Sequence, residues 1–418
     1  MPAIVWSLLC AVALVSLGDL RDNAVLAVCA MLCWGAGVLA LPRPRTKVNP
    51  LRTVFLVAML LRVVLLASAP TLSDDIYRYV WEGTLTAHGG NPYLHAPADP
   101  ALSAWLSDPN RALVNHPEVS SIYPPLAMGL FAVLSSIWAS PLPFRVLAAL
   151  ADAGTAWMLG RVLLNRKQSL DGAWLYALLP LAAVESAGSG HLDAVALFCL
   201  AAAIDAWDRQ RAGIVWAGVG ALLKLLPGAV FLALLKRPKK LWPGALVIAV
   251  LAMVSPLPFA EAGPTLLRGL GTYTAHWSFN GSVFPVVELL LGSYARPTLV
   301  AVGGLVVLWA VRRFHDPAEV ALWAGGAFVL LSPTVHPWYV GWAWVPAIVC
   351  GAHAWTLLAA LMPLAYIALS TLDPTTGAWH EGVWPRLVIY GPFYTMACWH
   401  IFRNATSPGP SIERAENA

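Results

Sequence analysis

Residues 53–83 read TVFLVAMLLRVVLLASAPTLSDDIYRYVWEG: the apolar run 53–69 passes directly into a segment carrying two adjacent aspartates, an Arg, two Tyr, a Trp and a Glu. A run of this length suits a membrane-crossing helix, which needs about 20 mostly apolar residues. The polar segment behind it then emerges at a membrane surface. The same alternation continues in both directions, predicting spans near 2–18, 24–42, 53–69, 123–138, 144–163, 172–187, 191–207, 212–235, 241–256, 298–311, 318–333, 339–353, 355–370 and 384–402. Of the 418 residues, 59% are hydrophobic and 11% charged, against roughly 25% charged in soluble domains, which excludes a water-soluble fold. The formal charge of +4 is too small and too dispersed to neutralise a phosphate backbone, so no nucleic-acid partner is expected. The predicted fold class is all-α: a polytopic transmembrane helical protein of about 12–14 spans, forming one membrane domain over 1–403 and a polar, disordered, cytoplasmic tail over 404–418. Six Cys are scattered singly and read as packing residues. The first apolar run has no basic n-region or small-residue cleavage site and reads as a retained span.

Basic residues collect at Arg43-Pro-Arg-Thr-Lys47 with Arg52, at Lys236-Arg-Pro-Lys-Lys240 and at Arg312-Arg313, which the positive-inside rule places in the cytoplasm. Residues 70–123, the longest hydrophilic segment, then lie outside. Further outward loops are expected at 257–297, with His276, Trp277 and Asn280, and at 371–383, with Asp373, His380 and Glu381. The middle of the chain breaks the count: Arg161, Arg166, Lys167, Arg209 and Arg211 would fall outside if every run from 123 to 235 crossed. Lys224-Leu-Leu-Pro227 interrupts the run 212–235, predicting two half-helices that turn back at the outer side and return Arg209 and Arg211 to the cytoplasm.

In Ser73-Asp-Asp-Ile-Tyr-Arg-Tyr-Val-Trp-Glu-Gly83, Ser73 suits an N-cap and the aspartates fall in the first turn, where the helix dipole favours negative charge. The bland alternative is an interfacial amphipathic helix with Asp74 and Arg78 paired at i,i+4. Gly89-Gly-Asn-Pro-Tyr93, Asn115-His-Pro117 and Ile122-Tyr-Pro-Pro-Leu126 follow in order. Together these motifs resemble the first outer loop of bacterial polyprenyl-phosphate-sugar-dependent glycosyltransferases of the C superfamily, mannosyltransferase-like members above all. The resemblance continues in Ser186-Ala-Gly-Ser-Gly-His-Leu-Asp193, Lys224-Leu-Leu-Pro227 and Ser332-Pro-Thr-Val-His-Pro-Trp-Tyr339. It implies an enzyme in the cytoplasmic membrane of a bacterium with its active site facing the periplasm or exterior. It also implies a polyprenyl-phosphate-linked sugar donor, with mannose the best guess, and a glycan, glycolipid or protein acceptor. The family's first-loop Asp maps onto Asp75, and Tyr77, Trp81, Asn91, Tyr93, His116 and Tyr123 fall on the same loop as substrate contacts.

Physical chemistry agrees. An acceptor hydroxyl needs a base, and a departing phosphate needs cations or hydrogen-bond donors. Asp75 is the expected base, with Asp74 beside it, and Arg78 is expected either to orient the base or to meet the donor phosphate. No resident cofactor is expected, although two carboxylates have the hard oxygen ligands a divalent cation prefers. His191 and Asp193 are ionisable groups at membrane depth, where function is the default reading. Lys224 is expected either to meet the phosphate or to snorkel, and His276, His336, Trp338 and Tyr339 to bind phosphate or sugar unless the aromatics merely form a membrane belt. Arg145 reads as a cytoplasmic anchor. No P-loop, nicotinamide fingerprint or zinc-protease motif occurs. The competing function is a transporter or flippase of a lipid-linked sugar.

Overall fold

In the computed structural model the chain is helical almost throughout, as expected for the all-α class; it describes residues 1–45, 49–105, 108–236, 242–373 and 379–406. Among these, the only β pairing is an isolated bridge of Phe279 and Asn280 with Thr334. Three helical segments, Pro141–Asn165, Phe284–Arg313 and Ala354–Thr371, are long and apolar enough to cross a membrane, and a fourth arises if Trp242–Val254 and Leu257–His276, bent by 77°, count as one. Many shorter apolar helices accompany them, several starting at proline: Pro2–Ser16, Pro50–Leu65, Pro125–Ile137 and Pro317–Leu331. Proline at the first helical position loses no hydrogen bond, because its N–H would be an orphan there anyway.

Side-chain pairings sort the chain ends of these helices into two layers. At one end Arg161 and Arg209 share Asp205, Arg166 grips Asp316 through two bonds of 2.6 and 2.7 Å, and Lys236 donates to the Val311 carbonyl. At the other end Arg21 pairs with Asp74, Arg145 reaches the carbonyls of Leu65 and Ala187, and Lys224 meets Asp193. The clusters that the positive-inside rule gathers are therefore on the end away from the first loop. Residues 46–47 and 237–240 of those clusters, and 407–418 of the predicted tail, lie outside the described residues; the last helix, Val383–Thr406, covers the tail's first three positions.

The irregular middle has two causes. Helix Gln210–Leu223 ends at Lys224, whose backbone is extended, and Gly228–Leu235 runs back to the basic end, so the predicted turn-back at Lys224-Leu-Leu-Pro227 is present. The run 123–138, in contrast, does not cross. It forms Pro125–Ile137, which lies against helix Asp75–Ala87: Ser135 Oγ donates to the Val80 carbonyl, and a Cβ on Gly83 would sit 2.5 Å from the Phe131 carbonyl oxygen. It follows the first-loop helix along its length, Phe131 and Ser135 both lying against it. Losing one crossing starts Pro141–Asn165 at the first-loop end and delivers Arg161, Arg166 and Lys167 to the basic end. Arg145 is consequently no cytoplasmic anchor; it is buried, and its donors are used on carbonyls.

The predicted span 172–187 is also broken. Leu179 takes the extended conformation that a following proline imposes, so Asp171–Leu178 stops, Pro180–Ala183 restarts, and Val184–Gly188 widens into a π turn. Beneath this turn Arg62 and Asp152, both fully enclosed, form an ion pair at 2.6 Å; Tyr176 and Ser186 donate to the same carboxylate, and Arg62 donates to the Ala177 carbonyl at 2.7 Å. Charges this deep persist only when paired and hydrogen-bonded. The network fixes the π turn, and the π turn carries Glu185 and leads into His191.

Candidate active site

The first loop is built around helix Asp75–Ala87. Ser73 does not cap it in the usual way: Asp74 occupies the N-cap position, while Ser73 Oγ accepts from the Asp75 N–H at 3.3 Å. Nor does Asp74 pair with Arg78. Asp74 turns outward to Arg21, whose Nε also holds the Thr71 carbonyl, and Arg78 turns inward to Glu82 at 3.2 Å. The Arg78 guanidinium further donates to the carbonyls of Asn115, His116 and Val119, and Ser121 Oγ donates to Glu82 at 2.8 Å. Arg78 thus ties the far half of the loop to the helix and, through its charge, favours ionised Asp75. Lysine cannot reproduce a planar fork serving four acceptors. Arg78→Lys should cost about 1.5–3 kcal/mol per charged hydrogen bond lost, lowering melting temperature and turnover together while the KM for the lipid donor stays near parental. A selective rise in that KM would instead put Arg78 on the phosphate.

Three other loop residues are framework. Trp81 is wholly enclosed with Leu85, Leu102 and Val114, leaving no face for a sugar. Asn91 Oδ1 accepts from the Tyr93 N–H, and the Tyr93 hydroxyl donates to the Tyr123 carbonyl at 2.7 Å. Tyr77 is half-buried, with Asp74 and Arg21 the charges nearest to act on it. His116, at φ 46°, meets the Trp277 ring edge-on at 4.5 Å. His276 is exposed, its Nδ1 3.0 Å from the Thr272 carbonyl.

The remaining predicted residues converge from four distant stretches of chain. Asp75 Oδ2 lies 3.8 Å from His191 Nδ1, and His191 Nε2 lies 3.4 Å from Glu185. The His191 ring stacks on Trp338 at 3.6 Å, and His336 stacks on the Trp338 ring at 4.5 Å with an interplanar angle of 2°. Lys224 Nζ reaches Asp193 at 3.2 Å and stands 5.6 Å from the Tyr123 ring centre and 6.0 Å from that of Tyr339. Trp342 Nε1 fixes the other Asp193 oxygen at 2.9 Å. The loop that brings His336 and Trp338 is held by main-chain bonds from Phe279 N–H to the Pro333 carbonyl and from Val335 N–H to the Phe279 carbonyl. Sequence reasoning missed Glu185, Tyr273 and Tyr366: the Tyr273 and Tyr339 hydroxyls bond at 2.9 Å, and the Tyr366 hydroxyl donates to Glu185. Glu185 was findable, as a lone acid inside an apolar run.

Burial raises the Asp75 carboxyl above its ordinary value, with Lys224, Arg78 and Asn115 pulling it partly back, while 26% of the side chain stays exposed. Burial, with the Lys224 ammonium beside it, holds His336 down to about 3, a neutral imidazole at pH 7. The site therefore presents an accessible carboxylate, an ammonium, neutral imidazole and phenol donors. Asp74 and Asp75 have different partners, Asp74 pairing with Arg21 and Asp75 facing His191, and no group of three or more His, Cys, Asp or Glu among the described residues is placed to hold a metal.

A helical membrane fold whose first loop delivers a carboxylate to a site of cationic, imidazole and aromatic groups is that of an integral-membrane glycosyltransferase, as the motif resemblance implies. The chain belongs to the alpha-(1->6)-mannopyranosyltransferase family, whose N-terminal-domain profile matches residues 8–255; it is a glycosyltransferase. The matched part contains Asp75, Glu185, His191, Asp193 and Lys224, whereas Tyr273, His336, Trp338 and Tyr339 come from beyond it. No curated protein matches the chain.

Proposed function

We propose that this enzyme transfers mannose from a polyprenyl-phosphate donor to an acceptor hydroxyl, by direct displacement with inversion, at a site opening on the periplasm or cell exterior. The observation that carries the reading is the convergence of Asp75, the His191–Trp338–His336 stack and Lys224, whose charge acts on Asp75: cationic and imidazole groups are gathered around an accessible carboxylate. Family membership supports mannose, and the concentration of basic clusters at the opposite end supports the outward orientation. Asp193 lies at the head of a 13-residue helix, Asp193–Asp205, that runs to the basic end, so the site stands about 20 Å above that end. A phosphate anchored in the outer leaflet by a lipid tail reaches that depth without leaving the membrane.

In this mechanism Lys224, with neutral His336 and the Tyr339 hydroxyl, binds the phosphate and compensates the charge that develops as the sugar–phosphate bond breaks. Asp75 takes the acceptor proton. Trp277, only partly buried, supplies an apolar ring face near the sugar, while Trp338 holds the two imidazoles that stack on it. Purified enzyme is to be incubated with polyprenyl-phosphomannose and, separately, with a mannose nucleotide in lipid-free detergent. Release of polyprenyl phosphate with the first and no transfer with the second is expected; robust transfer from the nucleotide sugar would overturn the donor assignment.

A further inference from the structure

His191 is 1% exposed, yet neither of its ring nitrogens has a hydrogen-bond partner among the described residues. Buried polar atoms are almost always satisfied, and an exception calls for a reason. Here acids flank both nitrogens: Asp75 3.8 Å from Nδ1 and Glu185 3.4 Å from Nε2. The ring cannot swing away, because Trp338 covers one face at 3.6 Å and Gly190, at φ 78°, brings the turn so close that a Cβ would strike Ile76 and Arg145. Glu185 is fixed as well, with the Tyr366 hydroxyl on both its oxygens at 2.8 and 2.9 Å, and it sits on a π turn, a distortion that recurs at functional sites. A cavity of about 30 Å³ borders Glu185, His191 and Asp193, room for about two waters. Lys224, Asp193 and His336 are the other ionisable groups facing the ring.

We propose that Asp75, His191 and Glu185 form a proton relay, in which the proton taken from the acceptor is passed off the base and parked on Glu185 during sugar transfer. This rests on Asp75 being the base. The acceptor O–H bond breaks as its oxygen bonds the anomeric carbon, and the sugar–phosphate C–O electron pair leaves with the phosphate. The proton goes to Asp75 Oδ2 and on to His191 Nδ1, while His191 Nε2 gives its own proton to Glu185. The contacts of 3.4–3.8 Å tighten when substrate binds, as catalytic hydrogen bonds commonly do. The relay keeps the charge of the site constant: the leaving phosphate gains one negative charge while the acid chain loses one. After the products depart, the proton returns along the same groups to solvent through the exposed side of Asp75. His191 and Glu185 act through Asp75 and need not touch the substrate.

The test is chemical rescue. His191→Ala should lower kcat about 10²-fold with the donor KM near parental, and imidazole in the assay should restore much of it. Pyrazole, which fills the same space but is far less basic, should not. Glu185→Gln, which keeps the shape and cannot accept a proton, should lower kcat similarly. Parental turnover in either variant, equal rescue by both azoles, or no imidazole rescue of a His191→Ala enzyme with parental melting temperature would overturn the relay. Parental turnover in Asp75→Asn would show instead that the base assignment itself fails.

Discussion

Asp75→Asn should lower sugar transfer by roughly 10²–10⁴-fold, the range that loss of a general base produces, and should leave the fold intact. The amide keeps the size of the side chain and removes the only function the mechanism asks of it. The stability expectation follows from the direction of the pKa shift. A carboxyl whose pKa is higher in the folded chain than in the unfolded one binds its proton more tightly when folded. Above the unfolded value, near 3.9, its ionised form therefore costs stability, so the neutral variant should melt no lower than the parent. The same direction fixes the pH profile: the acid limb of kcat/KM should lie above the ordinary Asp value, with activity lost as pH falls through it. Asp74→Asn should be mild. Its partner Arg21 is about 29% exposed, and partly exposed ion pairs contribute about 0.2–1 kcal/mol. Loss of turnover in Asp74→Asn with parental turnover in Asp75→Asn would exchange the two roles.

Asp152→Leu should destabilise the fold by about 3–5 kcal/mol, because it strands the Arg62 guanidinium in the interior without a counter-charge. Arg62 is 0% exposed and Asp152 2%, so no water takes the partner's place. Tyr176 and Ser186 lose their acceptor at the same time, and the π turn bearing Glu185 loosens. Replacing both partners, as Arg62→Met with Asp152→Leu, should recover a good part of the loss, since well-packed apolar pairs often match buried ion pairs in stability. Thermal unfolding in one detergent, read for both variants and the parent, checks this. A double variant no more stable than Asp152→Leu would mean that hydrogen bonds to Ala177 and Ser186, rather than the unpaired charge, carry the effect.

The apolar runs made the helical membrane fold legible, because burial in lipid demands long apolar helices whatever the tertiary contacts. The turn-back at Lys224 was legible too, from a charge and a proline inside an apolar run. What hydropathy does not distinguish is a helix that crosses lipid from one that packs against another helix. Pro125–Ile137 is as apolar as a span and lies on the first-loop helix, and that reverses the side on which Arg161 and Arg166 emerge. In the site, membrane depth marked His191 and Asp193, the first-loop resemblance marked Asp75, and the later motifs marked Lys224 and His336; that these stretches meet in one place was not legible. Partner choice was not legible. Asp74 has Arg78 at i,i+4 yet meets Arg21, 53 residues away, because Glu82 lies one turn beyond Arg78 on its buried side. Trp81 and Tyr93 have the chemistry of sugar contacts, and only their enclosure in the loop shows that they pack it.

The most direct test of the central claim, that Asp75 activates the acceptor for direct displacement at a lipid-borne sugar phosphate, is the anomeric configuration of the product. Mannose is to be transferred from polyprenyl-phosphomannose of one defined anomer, and the new glycosidic linkage read by NMR before any further processing. A linkage inverted relative to the donor is the predicted result. A retained linkage would contradict the account, since it would require a glycosyl-enzyme intermediate and a nucleophile in place of a base.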